Sequence, residues 1–557
     1  MNDGMNVEME FTFAPTKTVS YPTANGGLTR STAAVNSLAK SKYSTLACLG
    51  VTSKHVCQSD GIIPALPTYH SNASIPMASS HPTHVSLTPL DHLHRPNYIK
   101  ICYWIPLLPS VQAHDVYTYL GAGLRKTFHQ MPWLGGKVHL QSPNTPGWRP
   151  GQREIRYEAW AAEGPVPHQL VFKQLDTKLS YSDWKDEGFP SDAFPDQELL
   201  DVPVEGDMEA GCDIWAAQTS FIPGGLILTM STCHAAIDGT GMVIAMKAWA
   251  DCCRSAYDGQ AGGAAFPPET YDRSLLDKLW EQEGAPVPAD PDAWTKGLVG
   301  LEGPEECTDI DAQREGTQTP SNKKAVHKTF YLPASSLATL QKQCDESAQS
   351  GTALSISDII TALMWRGSVR ARARVAGDGA SLADESVLEG AVNGRLDFSQ
   401  SLHPAYLGNT TFYNQAKLPI ASVLDPSVPL SRLAEAVRVG AARVNSASLN
   451  DAYGLLRALP DYETVRPRFR RAQGADMLIS NLLVFPVDDI AFGNTLFGNG
   501  GKAEALRCYL GRFNDYARCS LVLPKRPVGV EITMNLREDE MESLEADEEW
   551  GRYCLAL

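Results

Sequence analysis

Apolar residues along this chain fall into two alternating patterns, short unbroken runs and repeats at helical spacing. The β-rich run "YIKICYWIPL" precedes "DVYTYLGAGLRKTFHQMPWLGG", in which Val116, Leu120, Leu124 and Phe128 recur every four residues and share one helix face. A strand leading into a packed helix is predicted there. The same step recurs where the buried strand "GGLILTMSTCH" runs through a turn into the helix "GMVIAMKAWADCC". After residue 326 the pattern restarts. "KTFYLP" predicts a strand, and "SISDIITALMWRGSVRARAR" predicts a helix whose Ser and Asp cap the amino end while Arg372 and Arg374 suit the carboxyl end. Two strands, "CSLVLP" and "GVEITMNL", and one acidic helix, "EDEMESLEADEEW", close the chain.

Residues 258–326 are rich in Gly, Pro, Asp and Glu, the composition of a crossover linker. Residues 1–22 form an apolar, β-prone strand segment. Residues 23–84 show no clear periodicity and predict a flexible insert, with 24–82 expected to be poorly ordered and dispensable. The chain therefore reads as an α/β protein with halves at 85–257 and 327–557, without an internal sequence repeat.

A chain of 557 residues, 43% hydrophobic and 20% charged, can bury a core larger than one domain. Its net charge of −16 argues against a nucleic-acid or anionic-membrane surface, since phosphate binding needs clustered Lys and Arg. The start "MNDGMNVEMEFTF" lacks a basic segment followed by an apolar core, and no apolar run approaches the roughly 20 residues that span a bilayer. A cytoplasmic protein with no membrane partner is expected. The twelve cysteines show no Cys-x-x-Cys pair and no metal-like spacing with the thirteen histidines, so they are expected reduced and mostly buried, with no metal bound.

Candidate chemistry concentrates at "CHAAIDGTG", where His234 ends a buried strand and Asp238 follows four residues later, ahead of Gly239. A histidine held there by rigid scaffold, among small residues, is placed to act as a base near neutrality. Other motifs fail on spacing. "FGNGGKAE" has Leu496 where a phosphate loop needs its first glycine and Ala503 where it needs Ser or Thr, so it predicts a plain turn. There is no Gly-x-Ser-x-Gly and no His-Glu-x-x-His. Cys233 adjoins His234, but successive strand side chains point to opposite faces, which disfavours a thiol nucleophile activated by its neighbour.

With its motifs in order, "LTPLD", "LRKTFHQMPWLGGKV", "CHAAIDGTG", "SISDIITALMWR", "AVNGR", "YLGN", "DDIAFGN" and "GVEITMNLREDEMESL", the chain resembles the BAHD acyltransferases, including the fungal trichothecene 3-O-acetyltransferase-like branch. The resemblance covers most of residues 85–545. It departs at 491–495, where "AFGNT" stands in place of the family's Asp-Phe-Gly-Trp-Gly, and in the long insert before "LTPLD". It implies two similar α/β domains of the chloramphenicol acetyltransferase type, with an active-site channel at their interface. It also implies a monomer with no bound cofactor, using acyl-CoA, expected to be acetyl-CoA, as co-substrate and a small-molecule alcohol as acceptor. His234 would then be the general base, and Asp238 and Gly239 would support its turn, with Asp238 turned away from the imidazole to pair with Arg395. Ser480, Asn481, Phe492 and Gly493 would line the donor or substrate channel, and Arg468, Arg470 and Arg471 of "RPRFRRAQ" would reach the CoA phosphates. The chemistry agrees with this independently. A thioester is already activated, so a base that deprotonates the acceptor hydroxyl suffices without a covalent intermediate. The competing readings are a condensation-type enzyme drawing its acyl group from a carrier protein, and a catalytically silent homologue that acts as a binding module.

Overall fold

The computed structural model describes residues 82–557, except 259–265, 284–286, 288–289, 302–323, 350–352, 378–384, 466–473 and 511–516. The predicted segment 1–22, most of the insert and part of the linker thus lie outside the described residues. Two large sheets carry the fold. The first has five strands in the order Ala505–Tyr509, Tyr98–Pro106, Gly225–Cys233, Trp215–Ile222, Leu170–Gln174. At its centre Tyr98–Pro106 and Gly225–Cys233 run antiparallel, with Tyr98 opposite Cys233. Every residue of Gly225–Cys233 is buried, the apolar Leu226–Leu228 and Met230 together with the small polar Thr229, Ser231 and Thr232, as a central strand covered on both faces requires. The helix Ala113–Gln130 lays Val116, Leu120, Leu124 and Phe128 against this sheet and against the helix Gly239–Asp258. All four are fully buried.

The second sheet has seven strands, ordered Thr411–Pro419, Glu385–Asn393, Met477–Asn481, Ser520–Val522, Gly529–Arg537, Ala325–Pro333, Leu555–Ala556. The helix Ile356–Ala376 packs on it. Ser355 and Asp358 close a reciprocal capping box at its amino end. At its carboxyl end Arg374 pairs with Asp547 at 2.7 Å, while Arg372 is buried and donates to the carbonyls of Gly474 and Asp476.

Four expectations need correction. Thr83 and His84, assigned to the insert, belong to the strand Thr83–Ser86, which pairs with Arg153–Tyr157. The linker is not a bare spacer. Its helices Leu275–Glu283 and Ala293–Leu298 bury Leu276, Trp280 and Leu298 against Leu449, Tyr453 and Leu456, because scattered apolar residues in a polar segment still seek burial. The halves also exchange chain. Ala505–Tyr509, from the second half by sequence, completes the edge of the first sheet by pairing with Tyr98–Pro106, whose backbone donors and acceptors need a partner. The acidic helix is two helices, Glu538–Glu545 and Glu548–Tyr553, because Asp547 starts a new one by capping the Trp550 amide.

Candidate active site

The strand Gly225–Cys233 delivers its last residue to a tight turn at His234–Ala236, and the helix Gly239–Asp258 begins at once. Gly241 is required at this junction. A Cβ there would stand 2.8 Å from the Leu407 carbonyl, so only glycine lets the helix start approach that backbone. Asp238 is 2% exposed and its carboxylate is fully engaged. Arg395 donates to both oxygens at 2.8 and 3.0 Å, and the amides of Gly241 and Thr410 donate at 2.9 and 3.0 Å. Burial is the largest single influence and works against its charge, but the Arg395 charge and hydrogen bonds, together with the Gly241 and Thr410 amides, more than offset it and hold the carboxyl below the usual range. Arg395 is itself clamped by the carbonyls of Tyr406 and Gly408. The carboxylate thus ties the turn to the second half of the chain instead of addressing the imidazole.

The His234 ring opens into a cavity of about 190 Å³ between the two halves. Its walls are mostly apolar, with Ile99, Ile101 and Met242 on one side and Val392, Leu478 and Phe485 on the other. Thr232, Asn393, Tyr413 and Ser480 add polar points. Burial lowers the His234 pKa, opposed mainly by its own backbone and by Asp238, so the ring is neutral and able to accept a proton at pH 7. The His234 backbone is held by the Asn97 carbonyl, which accepts from its amide at 3.0 Å, and by Asn409, whose side-chain amide donates to its carbonyl at 3.0 Å. Behind it Cys233 is wholly buried, and its thiol pKa is raised well above the ordinary value, first by the neighbouring Cys212 and then by burial. That is the opposite of what a nucleophile needs.

Ser480 and Asn481 both line the cavity. The Asn481 amide, however, donates to Ser357 at 2.8 Å and its oxygen accepts from Leu483 at 3.0 Å, which spends it within the protein. Phe492 and Gly493 are not among the cavity residues, and their assignment to the channel is corrected. Phe492 is 1% exposed and meets Trp249 edge-on at 5.8 Å, so it braces the far side of the helix that follows His234. Gly493 has φ +94° and pairs with the turn at Gly500, while the carbonyl of Phe492 accepts from the Tyr119 hydroxyl at 2.7 Å. Arg468, Arg470 and Arg471 lie outside the described residues.

Sequence reasoning missed the residues that hold the site together. Asp91, in "LTPLD", is wholly buried. Its carboxylate caps Thr88 and accepts from Arg273 at 3.1 Å and from Asn409 at 2.8 Å. Arg273, from the linker, also donates at 2.6 Å to the Ala236 carbonyl in the turn that carries His234. The Thr-x-x-Asp spacing signals the cap, but nothing local signals partners 182 and 318 residues away. His94 was likewise unassigned. Its ring stacks on that of His234 with centroids 4.1 Å apart. Among the described residues no group of three or more His, Cys, Asp or Glu could hold a metal ion, and no helix is long and apolar enough to cross a membrane.

The family model of the Transferase family matches residues 197–550, and that of the trichothecene 3-O-acetyltransferase-like N-terminal domain matches residues 97–253. Among curated proteins the chain is similar to the isocyanide synthase-NRPS hybrid crmA of Aspergillus fumigatus, at 29% identity over 84% of this chain. It spans only 31% of that protein's length. It is also similar to the eremophilane O-acetyltransferase ORF8 of Penicillium roqueforti, at 28% identity over 78% of this chain and 91% of the relative. Among solved structures, Fusarium sporotrichioides TRI101 complexed with coenzyme A and T-2 shares the fold, with a TM-score of 0.65 and 21% identity over 85% of this chain and 99% of that one.

Proposed function

The chain belongs to the Transferase family of BAHD acyltransferases, and from that premise we propose that it moves an acyl group, most simply acetyl, from coenzyme A to a hydroxyl of a small specialised metabolite. One observation carries the reading. A neutral histidine stands in the wall of an interdomain cavity, on a turn whose carboxylate is fully occupied elsewhere. His234 takes the acceptor proton as the oxygen attacks the thioester carbonyl, then returns it to the departing thiolate. No covalent acyl-enzyme is needed. Ser480 is the polar group placed for the pantetheine arm, and the apolar walls suit a hydrocarbon skeleton over a sugar or peptide. Relatives named for eremophilane and trichothecene O-acetylation support a terpenoid alcohol as acceptor.

Incubation with radiolabelled acetyl-CoA and pooled terpenoid, polyketide and alkaloid alcohols tests this. Label entering a neutral product with release of free CoA is the expected result, and CoA release that no alcohol stimulates would refute it. A second reading, in which the donor is a thioester on a carrier protein, draws on the similarity to part of an NRPS hybrid. The same assay with an acetyl-loaded carrier protein in place of acetyl-CoA separates the two.

A further inference from the structure

We propose that His94 is a positioning residue for the acyl transfer, acting as a stacking plate that sets the orientation of the His234 ring in the cavity. The inference rests on the functional reading above for its role in turnover, though not for the stack itself. The two imidazoles lie face to face, 4.1 Å apart with an interplanar angle of 29°, and both line the cavity. His94 is 5% exposed and its Nε2 is buried without a partner. His234 Nδ1 is likewise buried and unpartnered. A catalytic histidine is ordinarily aimed by a hydrogen bond to its second ring nitrogen. Here Asp238 supplies no such bond, since it is occupied by Arg395, and the face of a neighbouring ring constrains the imidazole from the side.

The fold holds the two rings in register from a single point. His94 ends the short helix Pro89–Leu93, whose Asp91 receives the side chain of Asn409, and the same Asn409 amide donates to the His234 carbonyl. On the other side Arg153 donates to the His94 carbonyl at 2.5 Å, and Arg273 bridges Asp91 to the Ala236 carbonyl. Both backbones therefore hang from Asp91, which fixes where the two rings start and leaves their rotation to the stack. The pKa of His94 is lowered well below its ordinary value by burial, then by His234 and Arg153, so the plate is an uncharged ring.

If stacking is the function, a flat ring of any chemistry suffices. His94→Phe should keep turnover within a few-fold of the parent. His94→Ala should lower kcat by about 10²-fold, the usual scale of a small misplacement of a reacting group, with KM for acetyl-CoA little changed. A second readout needs no acceptor. Carbethoxylation of His234 by diethyl pyrocarbonate, followed by peptide mass spectrometry, should be several-fold faster in His94→Ala than in the parent, and unchanged in His94→Phe. Phe behaving like Ala in both assays would overturn the proposal, as would Ala behaving like the parent in carbethoxylation. A parent enzyme that transfers no acyl group refutes the functional reading, and the carbethoxylation rates still judge the stack.

Discussion

Removing Arg395 tests the claim that Asp238 is a structural carboxylate. Arg395 is 1% exposed, and Arg395→Ala would leave Asp238, itself 2% exposed, with the amides of Gly241 and Thr410 and a long bond from the Thr410 hydroxyl, all uncharged donors. Breaking one side of a buried pair typically costs about 3 to 5 kcal/mol, because the surviving charge is stranded. The carbonyls of Tyr406 and Gly408 lose their donor as well, so the upper part of that range applies. A domain is commonly stable by about 5–15 kcal/mol, so the variant should fold but unfold at markedly lower urea. Asp238→Asn should cost a similar amount by stranding Arg395. The double variant Asp238→Asn with Arg395→Met strands neither charge, and its loss should fall short of the summed single losses by roughly 0.5–3 kcal/mol. Urea unfolding followed by tryptophan fluorescence reads the stabilities, and free CoA release reads turnover, which should fall with the turn. An Arg395→Ala protein with the parent's midpoint, or strict additivity in the double variant, would refute the argument.

Three further outcomes are expected. His234→Ala should cut turnover by about 10²- to 10⁴-fold while the unfolding midpoint and acetyl-CoA binding by calorimetry stay near the parent's, since general-base catalysis has that worth. Ser480→Val should raise KM for acetyl-CoA more than it lowers kcat, and steady-state kinetics with varied donor would show the split. For pH, the lowered pKa of His234 puts the acid limb of kcat/KM below 6.5, and a limb above 6.5 would contradict the burial argument. Stability should follow the same sign. His92, held down at about 3, and His94, well below its ordinary range, stay neutral in the folded protein, and His234 takes its proton at lower pH than an unfolded histidine does, while the unfolded chain takes up protons below 6.5. Stability is then full above 6.5 and falls as pH drops, by up to about 1.4 kcal/mol per pH unit for each ring. Thermal melts at pH 7.5 and 5.5 should show the lower Tm at 5.5.

The alternation of apolar runs and helical repeats by itself determined the α/β class, the strand and helix flanking His234 and the capped helix at residues 356–376, because short apolar runs and a 3.6-residue period are written locally. The order of short motifs pointed further, to the Asp238 and Arg395 pairing, through resemblance and not through any local signal. What only the tertiary structure decided are features whose parts lie hundreds of residues apart. Asp91 as the hub for Asn409 and Arg273, the stack of His94 on His234, and the return of Ala505–Tyr509 to the first sheet all depend on which surfaces meet when the halves close. Phe492 shows the limit from the other side. Its place in a motif near the channel was legible, but whether its ring faced the cavity or the back of a helix depended on a contact with Trp249, which no periodicity encodes. A buried polar group takes whatever partner the closed fold brings within bonding distance, and a sequence read along its length does not contain that distance.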